Sequence, residues 1–193
     1  MRLVSFLAYI GLVIGAVGML AGQFFGQAKG FNLGMFMAGA GFGIAGTDAL
    51  ITRRMPFRPS DDVYENYANL PAVIVGAMVF AVGAAMIGAA YLLDNEQWYS
   101  TVNYLTRRPA PLLAAGGLFF VGIGVLMMLN PQGRSSWAWR LLVYFPRSLI
   151  GLVVIAAGLA VIGLGVWEWL QPDAFRAFIK TVPKRYEQLL SLV

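Results

Sequence analysis

Few side chains in this sequence could act on a substrate, and the two features that suggest such chemistry adjoin each other. Gly41 to Gly46 reads GFGIAG and satisfies G-x-G-x-x-G, the pattern with which a dinucleotide-binding unit cradles a pyrophosphate. Asp61 and Asp62 follow where that pattern places an acid for the ribose, about 20 residues on. Thr47 and Asp48 come directly after the glycines, and Arg53 and Arg54 lie a little further along. A carboxylate beside a hydroxyl and two guanidiniums has the composition of a proton or cation site. Histidine and cysteine are both absent. Thiol nucleophiles, imidazole bases, disulfides, iron–sulfur clusters, the usual zinc sites and histidine-ligated haem or copper are thereby excluded.

What the glycines and Asp48 can do depends on the element that carries them. Hydrophobic residues make up 59% of the 193 and charged residues 12%, with a mean hydropathy of +0.71. Soluble domains carry about 25% charged residues, so this chain cannot keep its surface in water. It reads as an all-α integral membrane protein, a bundle of five transmembrane helices with short interfacial helices and an amphipathic C-terminal tail. The five apolar runs cover roughly residues 3–25, 31–52, 70–93, 111–129 and 146–170, each long enough to cross a hydrocarbon layer about 30 Å thick. The first run, Arg2 followed by apolar residues to Ala21, exceeds the apolar core of a signal peptide and counts as a helix. All nine prolines fall between the runs or at their ends, where the missing N–H does no harm. Residues 1–171 form the predicted bundle and 172–193 the tail.

The connections carry aromatic residues at helical spacing. Ser60, with two acids after it, is placed to cap a short helix bearing Val63, Tyr67 and Leu70. Trp98, Val102 and Leu105 mark a second, and Trp137–Phe145, WAWRLLVYF, a third; each suits the headgroup layer. In the tail, Phe175, Phe178, Ile179 and Val182 form one apolar stripe. Beyond Pro183, Tyr186, Leu189, Leu190 and Val193 form another. Arg176, Lys180, Lys184 and Arg185 lie opposite. The expected form is an amphipathic helix broken at Pro183, resting on an anionic leaflet or a partner subunit.

The net charge of +5 comes from basic residues at the ends of apolar runs, where they act as anchors rather than as a nucleic-acid surface. The first three helices place more basic residues on the N-terminal side, which puts the N-terminus inside. The expected location is the cytoplasmic (inner) membrane of a prokaryote. Gly76, Gly83 and Gly88 each have a glycine 75 positions on, at Gly151, Gly158 and Gly163, and Gly11 and Gly18 share the seven-residue step. Duplicated helices and mere glycine abundance both produce such a pattern.

In the middle of a spanning helix every backbone amide belongs to the helix, so GFGIAG has none to offer a phosphate and no nucleotide is expected. Its glycines read instead as packing surface. Gly34, Ala38, Gly41 and Ala45 make one small-residue stripe, with Gly39, Gly43 and Gly46 beside it. Gly11, Gly15, Gly18 and Gly22 make another on the first helix. Three readings of Asp48 stand open: an interfacial ion-pair or hydrogen-bond partner, a cap on a new helix if the second helix ends at Gly46, or a proton or cation site. Glu168, Asp94 and Glu96 read as interface markers, and the nine methionines as packing residues. No acid–base constellation can be assembled.

The function expected from these features is that of a non-catalytic accessory or assembly subunit of a larger membrane complex, packing through Gly/Ala-rich helix faces. The alternative is a small oligomeric transporter or channel with Asp48 in its path. A membrane enzyme would need clustered acids or a nucleophile at the interface, and none is seen. Expected partners are other membrane subunits and lipids, with no nucleic acid. Lipid, quinone or pigment contacts stay open because they leave no motif.

Overall fold

The computed structural model describes residues 3–54, 56, 69–95, 97–129 and 137–190; for 139–141 and 182–190 the description is confined to the backbone. The described residues are helical, with no strand among them. Five helices span: α1 (Leu3–Phe24), α2 (Ala28–Thr52), α3 (Leu70–Asp94), α5 (Ala110–Met128) and α7 (Phe145–Leu170). Between them lie α4 (Trp98–Arg107) and α6 (Trp137–Trp139), and α8 (Pro172–Leu190) follows. The all-α, five-span membrane architecture expected from hydropathy is the one observed. The proposed helix at Ser60, Val63 and Tyr67 falls outside the described residues, as do Asp61, Asp62, Glu96 and Val193.

Each spanning helix ends for a local reason. After Phe24, Gly26 takes a positive φ of 64° and the Gln27 N–H donates to the Gly22 carbonyl at 2.8 Å. This left-handed turn satisfies an orphan carbonyl and reverses the chain within three residues. Gln27 is already the N-cap of α2, which therefore begins before Phe31, at Ala28. α2 ends with Arg53 in the left-handed region (φ 54°), and the Arg53 carbonyl accepts from the Asn69 N–H at 2.9 Å. One hydrogen bond thus ties the end of α2 to the start of α3. α3 and α5 carry proline in the first turn, where no N–H is needed.

The segment before α7 differs from its expected form. Trp137–Trp139 does not make a separate surface helix but runs through a π-helical turn, Arg140–Tyr144, straight into α7. Pro146 explains the turn: it has no N–H for the Leu142 carbonyl, and its ring crowds that carbonyl, so the bonding register widens locally. Tyr144 Oη donates to the Met128 carbonyl at 2.8 Å, and Arg147 Nη2 reaches the Leu126 carbonyl at 3.4 Å. Both satisfy carbonyls at the end of α5 that have no helical partner.

The spanning helices pack in chain order, α1 on α2, α2 on α3, and α5 on α7. The contact joining the two groups is small, with Gly122 of α5 beside Met78 and Ile74 of α3. Within each group the backbones meet at glycine. A Cβ added at Gly83 would stand 2.6 Å from the Gly39 carbonyl of α2, and one at Gly158 would stand 2.7 Å from the Gly117 carbonyl of α5. Nothing larger than hydrogen fits there. The inner stripe of α3 is Gly76, Gly83 and Ala90; that of α7 is Gly151, Gly158 and Gly165, and all six are buried. The 75-residue offset thus relates residues with the same job in two antiparallel hairpins, α2–α3 and α5–α7.

Candidate functional site

The GFGIAG string lies wholly inside α2, without the strand-to-helix turn a pyrophosphate cradle requires. Its glycines point in different directions. A Cβ at Gly41 would meet the Ala8 carbonyl of α1 at 2.8 Å, whereas one at Gly46 would meet Phe80 Cα and the Gly76 carbonyl of α3 at 2.7 and 2.8 Å. Gly43 has open space at its own Cβ position, but a Cβ on Gly83 would fall 2.6 Å from the Gly43 nitrogen. α2 is therefore the middle helix of its group. On α1, Gly11 faces Gly41, Gly15 faces Ala38, Gly18 faces Gly34 and Gly22 faces Phe31.

Asp48 is half-buried in the last turn of α2. The helix continues four residues past it, which removes the reading that it ends at Gly46 and begins again. Thr47 Oγ1 donates to the Gly43 carbonyl at 2.8 Å, and Thr52 Oγ1 to the Asp48 carbonyl at 2.7 Å. Both hydroxyls are thus satisfied within their own helix. Arg53 and Arg54 are exposed beyond the helix end, and the Asp48 carboxylate makes no ion pair or hydrogen bond to the described residues. The four residues Thr47, Asp48, Arg53 and Arg54 adjoin in sequence but do not converge on a point.

A different carboxylate is the anomaly of this structure. Glu168 is 1% exposed and is the only buried charged residue among those described. It lies between Trp167 and Trp169 near the end of α7, and its side chain turns inward against the start of α5. Glu168 Oε2 accepts from the Ala110 N–H at 3.3 Å, while Oε1 is buried with no partner. The sequence explains the first contact. Ala110 opens α5, so its N–H has no carbonyl partner within the helix, and the positive end of the helix dipole favours an anion there. The signal that could have found it is spacing: Glu168 lies three residues after Gly165, on the same face as the stripe that packs on α5.

Glu168 forms part of the wall of a cavity of about 520 Å³ between α4, α5 and the end of α7. Arg108, Tyr104 and Trp169 supply its other polar and aromatic lining, and Pro111 and Val166 part of its apolar wall. Tyr104 and Trp169 are largely exposed, so they rim the cavity rather than close it.

The tail packs back on the same end of the molecule. α8 runs unbroken through Pro183, contrary to the expected break; the proline forgoes one backbone bond to Ile179, and the rest of the ladder carries the helix on. Gln171 is the single residue separating α8 from α7. Phe175 is buried, its ring edge-on to Trp167 with centroids 5.7 Å apart, and Phe178 stacks obliquely on the same indole at 5.2 Å. Arg176, expected to face lipid or a partner, donates from Nη2 to the Arg107 carbonyl at 3.3 Å and lies 3.8 Å from Asp173. It ties α8 to the end of α4. Lys180 is exposed; the side chains of Lys184 and Arg185 lie outside the described residues.

Among the described residues no three acids cluster as metal ligands. No family model, curated protein or solved structure matches the chain.

Proposed function

We propose that this protein is a non-catalytic subunit of a larger membrane complex, docked to its partners through small-residue faces of its spanning helices. One observation carries the reading. Opposite their inner glycine stripes, α3 exposes Ala81, Ala85 and Gly88, and α7 exposes Ala156, Ala160 and Gly163. These two outer stripes stand at the same 75-residue offset as the inner ones. Gly88 and Gly163 are exposed and have open space among the described residues where a Cβ would sit.

Lipid provides no hydrophobic drive for helices to associate; small residues favour association by letting backbones approach. A helix whose outer face met only lipid would gain by carrying Ala or Leu in place of Gly88 or Gly163, because each Gly costs about 1 kcal/mol of helix propensity relative to Ala. The same pattern on both hairpins suits two equivalent docking faces. The transporter alternative draws less support. Asp48 lies near the end of α2, and its neighbours Thr47, Arg53 and Arg54 do not converge on it.

A photo-crosslinking residue placed at Ala85 or Ala160 tests the reading in native membranes, with Val13, an exposed residue of α1, as the control. Adducts to another polypeptide at the two stripe positions and none at Val13 are expected. Adducts at neither stripe, or equally at all three positions, would remove the proposal.

A further inference from the structure

We infer that the cavity bounded by Glu168 and Arg108 is a binding site for the headgroup of an aminophospholipid, with the primary ammonium on Glu168 and the phosphate on Arg108. Four observations converge on that chemistry. First, Glu168 Oε1 is buried with no partner while Oε2 is held by the Ala110 amide, which fixes the carboxylate and leaves one strong acceptor unused. A buried acceptor without a donor is costly, so a donor from an occupant is the simplest way to satisfy it. Second, Arg108 lines the same cavity, so an acid and a base face one occupant. A zwitterion complements that pair, whereas a purely anionic or purely cationic headgroup leaves one of the two opposed.

Third, the remaining wall is apolar and the rim aromatic. Pro111 and Val166 give acyl carbons a surface, and Trp169 and Tyr104, 74% and 60% exposed, sit where indole and phenol rings favour the headgroup layer. Fourth, the cavity lies where α5 begins and α7 ends, beside the amphipathic α4 and α8, so it opens at one end of the spanning helices. A soluble ligand would have no use for the apolar wall; a lipid uses both. The primary amine matters because Oε1 needs an N–H. A quaternary trimethylammonium has none, and the exposed Tyr104 and Trp169 are too open to form the aromatic cage that would bind it by cation–π attraction.

Native mass spectrometry of the full-length protein, titrated in detergent with lipids of identical acyl chains, reads the preference directly. Phosphatidylethanolamine is expected to bind about tenfold more tightly than phosphatidylcholine, the scale of one charge-assisted hydrogen bond, and more tightly than phosphatidylglycerol. Glu168→Gln should erase the ethanolamine–choline difference, and Arg108→Gln, at a partly exposed site unconnected with the α5 cap, should weaken all three phospholipids. Equal binding of the ethanolamine and choline lipids to the unmodified protein overturns the inference without recourse to any variant. So does competition by free phosphoethanolamine at the same concentration as the lipid, which would assign the site to a soluble ligand.

Discussion

A single methyl group placed at two glycines five residues apart on α3 separates packing from propensity. At Gly83 the added Cβ would stand 2.6 Å from both the Gly39 carbonyl and the Gly43 nitrogen, which are backbone atoms of α2 and cannot swing aside. Ordinary contact begins at 3.4 Å, so α2 and α3 must separate locally by about 0.8 Å. A gap of that size forfeits roughly a quarter to a half of the dispersion energy of the facing atoms. Overpacking of this kind costs about 1–3 kcal/mol, and the better helix propensity of alanine offsets about 1 kcal/mol. Gly83→Ala should therefore destabilise by about 0–2 kcal/mol. Gly88→Ala meets nothing within 4 Å and keeps only the propensity term, a gain of up to about 1 kcal/mol. Reversible unfolding in mixed micelles measures both, and the shared helix cancels most effects of the medium. Equal shifts for the two variants, or a more stable Gly83→Ala, would refute the packing argument.

Other expectations follow from single contacts. Tyr144→Phe removes the hydroxyl that satisfies the Met128 carbonyl and should cost about 0.5–1.5 kcal/mol in the same unfolding assay, with faster amide exchange confined to the α5–α7 end. Phe175→Ala strips the buried ring from Trp167; amide exchange should rise throughout α8 and tryptophan fluorescence should change, while α1–α3 stay protected. Asp48→Asn removes a charge that makes no bond to the described residues, so its unfolding midpoint should match the parent's within about 0.5 kcal/mol.

The spans were legible because hydropathy and proline placement are local, and each set helix limits to within a few residues of those observed. Seven-residue spacing puts Gly76 and Gly83, or Gly151 and Gly158, on one face whatever they meet. Which helix they meet is not set by that spacing. Spacing separates Gly46 from Gly34 and Gly41, about 140° around the helix, but that the first two face α1 and the last faces α3 is decided by how the helices pack.

The acids show the limit most clearly. Asp48 drew attention because it is an isolated charge in an apolar run, while Glu168 sits between two tryptophans in what reads as an interface. Burial reversed their order, because the use of a carboxylate depends on an amide 58 residues away that is left unpaired at the start of α5. The expected break at Pro183 and the separate helix at Trp137 failed for a related reason. A proline forbids one hydrogen bond, and a neighbouring helical register can absorb that loss.

Two outer stripes that serve as docking faces must hold this chain to other subunits. Affinity purification from native membranes in a mild detergent, followed by native electrophoresis and mass spectrometry of the band, tests this directly when the parent is compared with Gly88→Leu and Gly163→Leu. The expected band holds other membrane subunits in fixed stoichiometry and is lost or reduced in both variants while the chain itself stays folded. A parent that migrates alone, as a monomer or a homo-oligomer, would contradict it.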